Sequence, residues 1–265
     1  MTLSELLALL TDQVMVLSLA MVRVSVAFLL LPLFSREGLP PLIRNAMFFA
    51  LSLIAVFVQP TLDLGQLTTS ALASLFIKEA VVGIVIGVFF GLFLWAFEAA
   101  GVIVDMQIGA SFALYFDPIV GNEITLFGSF LSRWAGYLFL ASGGLLMLTG
   151  ALLESYAIVP LTDPLVSLKT ASVRLFEAEY GRFLSLAVKI AGPIVAVIFI
   201  IDLTLGLVNR YAQQFNVFFL SMSLKSLAAV IMMWLLLPFL VGVLVDELSM
   251  ASARWSQHLG VILSR

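Results

Sequence analysis

Four runs of the chain carry no charge at all: Asn45–Leu62, Ala80–Phe97, Trp134–Leu153 and Ser226–Val245, each 18 to 20 residues long. A helix of about 20 residues spans roughly 30 Å, the thickness of the hydrocarbon core of a bilayer. Two further runs hold one interior charge each, Arg23 in Gln13–Ser35 and Asp202 in Ile190–Asn209. The pattern predicts an all-α, polytopic membrane protein with about six long hydrophobic helices, at about 13–34, 43–59, 77–101, 127–153, 183–209 and 226–245, in a single domain over 1–265. The last two differ in quality. Both runs hold 12 Leu, Ile, Val or Phe residues. In Ile190–Asn209, however, a central aspartate opposes insertion by about 3 kcal/mol, and Gly192, Pro193 and Gly206 weaken the helix. That helix is expected to need partners.

Between the runs, Ser35–Pro41 reads as a short turn and Gln59–Ser70 as a polar connection. Pro160–Tyr180 reads as a wet connector, with a solvated helical segment around Arg174, Glu177 and Glu179 ahead of the fifth hydrophobic run. Composition sharpens the class: 62% of the 265 residues are hydrophobic and 11% charged, where a soluble domain has about 45–50% apolar and about 25% charged residues. With no cysteine there is no disulfide framework, thiol nucleophile or Cys-based zinc site. A net charge of −3 leaves no basic surface for nucleic acid. The first twelve residues contain Glu5 and Asp12 but no Lys or Arg, unlike a secretory leader, and are expected to belong to the mature protein. With six spans, seven cationic residues fall on the side of the termini and five on the other, a slim bias toward cytoplasmic termini.

Gly83, Gly87 and Gly91 recur every four residues, which aligns three missing side chains on one stripe and admits another backbone closely, from this chain or from a different subunit. The stripe continues through Glu98 and Gly101 toward Asp105. There follows an apolar, glycine-punctuated segment, Asp105–Pro118, containing Met106, Gln107, Gly109, Phe112, Tyr115, Phe116 and Asp117, with no Lys or Arg from Glu98 to Ser132. Proline disfavours the helical conformation in the residue before it, so Asp117-Pro118 ends any helix. Non-helical backbone at membrane depth persists only where protein buries it or it lines a cavity. The segment therefore reads as a re-entrant or pore-lining element, against the alternative of a surface loop packed on its own helices.

Ionisable groups inside apolar runs are candidates for function. Arg23, Glu98, Arg133 and Asp202 could form a proton relay, pair within or between subunits, or line a water-filled channel. Lys78 and Glu79, adjacent in sequence, are expected to point apart and find separate partners. Enzymatic chemistry has no foothold. The lone His258 lies near Arg254, Trp255 and Gln257, and no nucleophile elbow, His-Glu-x-x-His or phosphate-binding loop is present. No cofactor is expected. A small-molecule or ion transporter and a poreless scaffold remain as competing classes, but inverted internal symmetry and a compact set of convergent polar groups are not visible in the sequence.

Four blocks, in order, resemble the type III secretion export-apparatus family SctT, also called SpaR, YscT or HrcT. The first is Arg23 with Leu31–Arg36 and Pro40–Ala46; the second runs from Lys78-Glu79-Ala80 through Gly83, Gly87, Trp95–Gly101 and Asp105–Ser111 to Asp117-Pro118; the third is Gly150–Tyr156 and the fourth Leu207–Lys225. One departure is Ser223, where the family usually has proline. The flagellar paralogue, FliR, shares the glycine stripe. Glu98–Gly101, Gln107–Ser111 and Asn209–Leu220 look more like the virulence branch. The resemblance implies a non-enzymatic subunit of the bacterial inner membrane, part of a helical hetero-oligomeric export gate built with SctR and SctS and contacting SctU and SctV. Secreted polypeptides would pass through that gate. Much of the chain would be held above the bilayer plane, and Asp105–Pro118 would be the plug of the closed pore.

Overall fold

The computed structural model describes residues 3–34, 39–58, 68–110, 125–161, 170–211 and 217–262. Among them every long element is a helix: α1 Leu3–Leu29, a 3-10 turn at Pro32–Phe34, α2 Pro41–Val58, α3 Thr69–Ile108, α4 Leu126–Ala141, α5 Gly144–Ile158, α6 Thr170–Tyr211 and α7 Val217–Ile262. Four of these helices contain stretches long and apolar enough to cross a membrane, Leu10–Leu29, Thr69–Ile108, Val173–Tyr211 and Val217–Ala251; α4 and α5 taken as one broken span would make five. The all-α membrane class stands, with four or five such stretches among the described residues where about six were expected. Two runs account for the difference. Helix α2, with 18 residues, is at the lower limit of a span. Trp134–Leu153 is not one helix, because Gly143 adopts φ +80° between α4 and α5. A left-handed residue ends a right-handed helix, and glycine takes that conformation without steric penalty.

Elsewhere helices run further than hydropathy alone suggests. Helix α3 is 40 residues long, about 60 Å. It stops at Gly109, φ +91°, where Gly109 N–H donates to Met106 O and Ala110 N–H to Asp105 O. These are the two backbone bonds of a Schellman stop. Helix α6 starts at Thr170 and runs unbroken to Tyr211, so the polar helical segment around Arg174 and the fifth apolar run are a single element, with Pro193 inside it. Ser223 lies on α7, its hydroxyl donating to Phe219 O at 3.3 Å, and the helix passes straight through the position where the family usually has proline.

The chain forms two compact units, Met1–Leu92 with Phe139–Glu179 and Leu248–Arg265, and Phe93–Leu138 with Tyr180–Glu247. In the first, α1 buries Val16, Leu19, Ala20, Arg23, Val24, Ala27 and Phe28, the 3–4 spacing of a single helix face. Leu75, Tyr156 and Leu161 pack against the beginning of that face. Phe28 meets Phe34 edge-on at 4.9 Å and Phe48 at 5.6 Å. Trp255 sits on Phe89 and Phe90, 5.3 and 5.7 Å between ring centroids. In the second unit, Phe97 packs on Trp134 at 6.3 Å. Exposed on α6 and α7 are large apolar side chains including Phe199, Ile200, Leu207, Leu227, Trp234 and Leu235.

Candidate functional site

Arg23 occupies a core position of the α1 face and is fully buried, which a guanidinium tolerates only when paired and hydrogen-bonded. Its partner is Glu79, also fully buried: Arg23 Nε lies 2.6 Å from one carboxylate oxygen and an Arg23 terminal nitrogen 3.0 Å from the other. Such a fork-on-fork pair fixes direction as well as distance. The remaining guanidinium donors go to α5 and its end, to Ser155 Oγ at 2.9 Å and Val159 O at 3.0 Å. The Tyr156 ring lies 4.1 Å beneath the guanidinium carbon, and the Tyr156 hydroxyl donates back to Ala20 O.

Lys78 joins the same cluster. Its ammonium is 2.9 Å from a Glu79 carboxylate oxygen and donates to Pro160 O at 2.8 Å and Leu161 O at 3.1 Å. Lys78 and Glu79 each have the separate partners expected of them, Pro160 and Leu161 for one and Arg23 for the other, but they also pair with each other. The long lysine stem curls around the helix to the same acceptor, drawn by carbonyls beyond α5. The cluster lies against the C-terminal end of α5, where carbonyls left without helical partners concentrate negative potential. Each of these groups is held by a partner, so the arrangement fastens α1, α3 and α5 together.

The glycine stripe belongs to the same contact. A Cβ on Gly83 would lie 2.7 Å from Arg23 O, and one on Gly87 2.7 Å from Ala27 O. Two missing side chains thus let the α1 backbone approach α3, and Gly91, one turn on, is buried. Of the two readings left open by the sequence, packing within the chain describes Gly83 and Gly87.

Further along α3, Gly101 meets the start of α4: a Cβ there would be 2.4 Å from the Phe127 carbonyl. One turn later Asp105, 3% exposed, accepts hydrogen bonds from Phe127 N–H at 3.2 Å and Gly128 N–H at 3.1 Å, one on each oxygen. A carboxylate at the first turn of a helix satisfies orphan donors and complements the helix dipole. Asp105, Met106 and Gln107 were expected in an irregular segment; they form the last turn of α3, with Met106 and Gln107 exposed. Gly109 forms the stop. Phe112, Tyr115, Phe116, Asp117 and Pro118 lie outside the described residues.

The other charges have partners of their own. Ser132 donates to Glu98 at 3.1 Å, and Lys225 lies 3.0 Å from Asp202, whose side chain is 42% exposed. Arg133 is exposed on α4. Singling out charges in apolar runs found Arg23 but not Glu79, Ser155 or Tyr156. Their signal was present, since all three fall within the blocks that resemble the SctT family, but nothing in their spacing indicated that they meet.

Fold and site together define a helical membrane protein held by buried charge and close backbone contacts, with no reactive centre in either cluster. The family described as bacterial export proteins, family 1, matches residues 14–251. This chain belongs to that family, whose members are export-apparatus components and not enzymes. Among its relatives are Yop proteins translocation protein T of Yersinia pestis, 31% identical over 80% of this chain and 82% of that one. Secretion system apparatus protein SsaT of Salmonella typhimurium is 29% identical over 84% and 87%. Flagellar biosynthetic protein FliR of Bacillus subtilis is 27% identical over 81% and 83%.

Proposed function

We propose that this protein is a core subunit of a type III secretion export gate, building with SctR and SctS subunits the channel through which unfolded polypeptides cross the inner membrane. SctU and SctV are its further neighbours. The observation that carries the reading is the family match over residues 14–251. The relatives at 31% and 29% identity are named for translocation and secretion, which supports the virulence branch over the flagellar one. Helices of 40, 42 and 46 residues, about 60–70 Å, are twice as long as hydrocarbon requires. That excess length supports a position partly above the bilayer, where neighbouring subunits cover the apolar faces left open on α6 and α7.

The segment Asp105–Pro118 is the plug. A gate must hold back ions at rest and yield to polypeptides of any sequence, which calls for apolar bulk with little specific pairing; a hydrophobic constriction closes by dewetting. Met106, Phe112, Tyr115 and Phe116 supply soft and aromatic filling on either side of the Gly109 turn. Two measurements test the reading. The tagged chain should co-purify with its small hydrophobic partner subunits in one defined particle, and isolation as a functional homo-oligomer would point to a transporter instead. Deleting residues 111–116 should leave the particle assembled but raise ion conductance across the membrane. Wild-type tightness after that deletion would remove the plug.

A further inference from the structure

We infer that the outward face of α4 is a docking stripe for a helix of a neighbouring gate subunit, one that carries a carboxylate where it crosses Arg133. The inference rests on the export-gate reading above and names the chemistry of one contact within it. Helix α4 has two faces. One packs on α3: Gly101 meets the Phe127 carbonyl, Asp105 accepts from the Phe127 and Gly128 N–H groups, Ser132 donates to Glu98, and Trp134 lies against Phe97. On the other face Leu126, Phe130, Arg133 and Tyr137 follow one another at steps of four, three and four residues, the spacing of a single helical stripe. All four are exposed, Tyr137 by 79%.

Arg133 decides what kind of partner fits. It is the only Lys or Arg between Lys78 and Lys169, and it makes no hydrogen bond or ion pair among the described residues. Hydrocarbon penalises the guanidinium and water penalises Leu126 and Phe130, so neither solvent suits the whole stripe. An apolar helix bearing an anion suits all of it. The planar guanidinium takes a carboxylate on two prongs, and Tyr137, one turn on, adds a ring and a hydroxyl beside the pair. Arginine and tyrosine are also the residue types that dominate the centres of protein interfaces. A phospholipid headgroup fits less well, because the cation lies within the stripe, with Phe130 on one side and Tyr137 on the other. An anion at that place needs a scaffold that runs past it in both directions, and a helix provides one. A single charge pair inside an apolar contact also fixes register, since a slip of one turn leaves both charges unpaired.

The test uses the tagged full chain in its assembled particle. A photoreactive phenylalanine derivative replacing Tyr137, with Arg133 unchanged, should crosslink to an apolar helix of a neighbouring subunit. The crosslinked peptide should contain an Asp or Glu within one turn of the attachment point. Arg133→Glu should lower recovery of that subunit with the chain by at least about tenfold, because two carboxylates then face each other. Changing the identified acid to arginine in the same strain should restore recovery, which a variant that merely misfolds does not allow. Crosslinks to lipid alone, a crosslinked peptide without an acid at that place, wild-type recovery with Arg133→Glu, or a charge swap that restores nothing would each overturn the docking stripe. Recovery of the unaltered chain with no other subunit would instead sink the export-gate reading, whereas an intact particle with any of the four adverse results removes the stripe alone.

Discussion

Arg23 and Glu79, 56 residues apart, are both fully buried and share two hydrogen bonds of 2.6 and 3.0 Å. Lys78 approaches the same carboxylate at 2.9 Å, so Glu79 serves two cations. Removing it leaves the buried guanidinium of Arg23 without its carboxylate partner.

Glu79→Ala should therefore destabilise the protein by about 3–5 kcal/mol, as the loss of one member of a buried pair does. A combined Arg23→Met/Glu79→Leu variant should lose less than the sum of its single changes, with a coupling of about 0.5–3 kcal/mol. Thermal unfolding of the detergent-purified particle reads both numbers; additivity would mean that the pair is not energetically coupled.

Gly83→Ala and Gly87→Ala each drive a methyl to 2.7 Å from a backbone carbonyl that cannot swing aside, and should cost about 1–3 kcal/mol. Gly150→Ala and Gly206→Ala meet nothing within 4 Å and lie inside helices, where alanine is favoured by about 0.5–1 kcal/mol. Unfolding midpoints of the four variants should split two against two.

At the break in Trp134–Leu153, Gly143→Ala should cost about 1–2 kcal/mol for left-handed backbone alone, since nothing crowds the position. Gly144→Ala has ordinary backbone but would put a methyl into the Phe139 ring, a side chain with no exposed surface, and is expected to be worse. Protease susceptibility between α4 and α5 in native membranes should rank them in that order.

Trp255 is 4% exposed, and its indole Nε1 has no hydrogen-bond partner among the described residues. A buried unpaired donor is itself destabilising, so Trp255→Phe should change stability by about 1 kcal/mol or less. Trp255→Ala removes the ring that covers Phe89 and Phe90 and should cost about 3–5 kcal/mol. Equal losses in the two variants would show that the N–H has a partner in the assembly.

How far the site could be read from sequence differs by residue. Arg23 stands out because a cation in an apolar run is conspicuous whatever its surroundings. Glu79 does not, since its meaning depends on α1 lying across α3, and the rule that neighbouring helix residues face apart argued against its contact with Lys78. Asp105 was visible as a polar residue beside the glycine stripe, but the expected helix stopped at residue 101, about two turns before its observed end at Ile108. The Schellman stop that sets the end is made by Gly109 and Ala110, and hydropathy does not register it. Ser142-Gly143-Gly144 was likewise hidden inside an uncharged run, because summed hydrophobicity counts glycine as harmless.

By itself the sequence determined the solvent, the helical class and the family, because transfer free energies and motif order are sums over local positions and survive without knowledge of neighbours. Only the tertiary structure decided which charges neutralise one another, which glycines are needed and where α3 lets go of the chain. Those outcomes depend on which helices meet and at what separation, and a buried ion pair or a backbone contact at van der Waals distance changes sign over a shift of about one ångström.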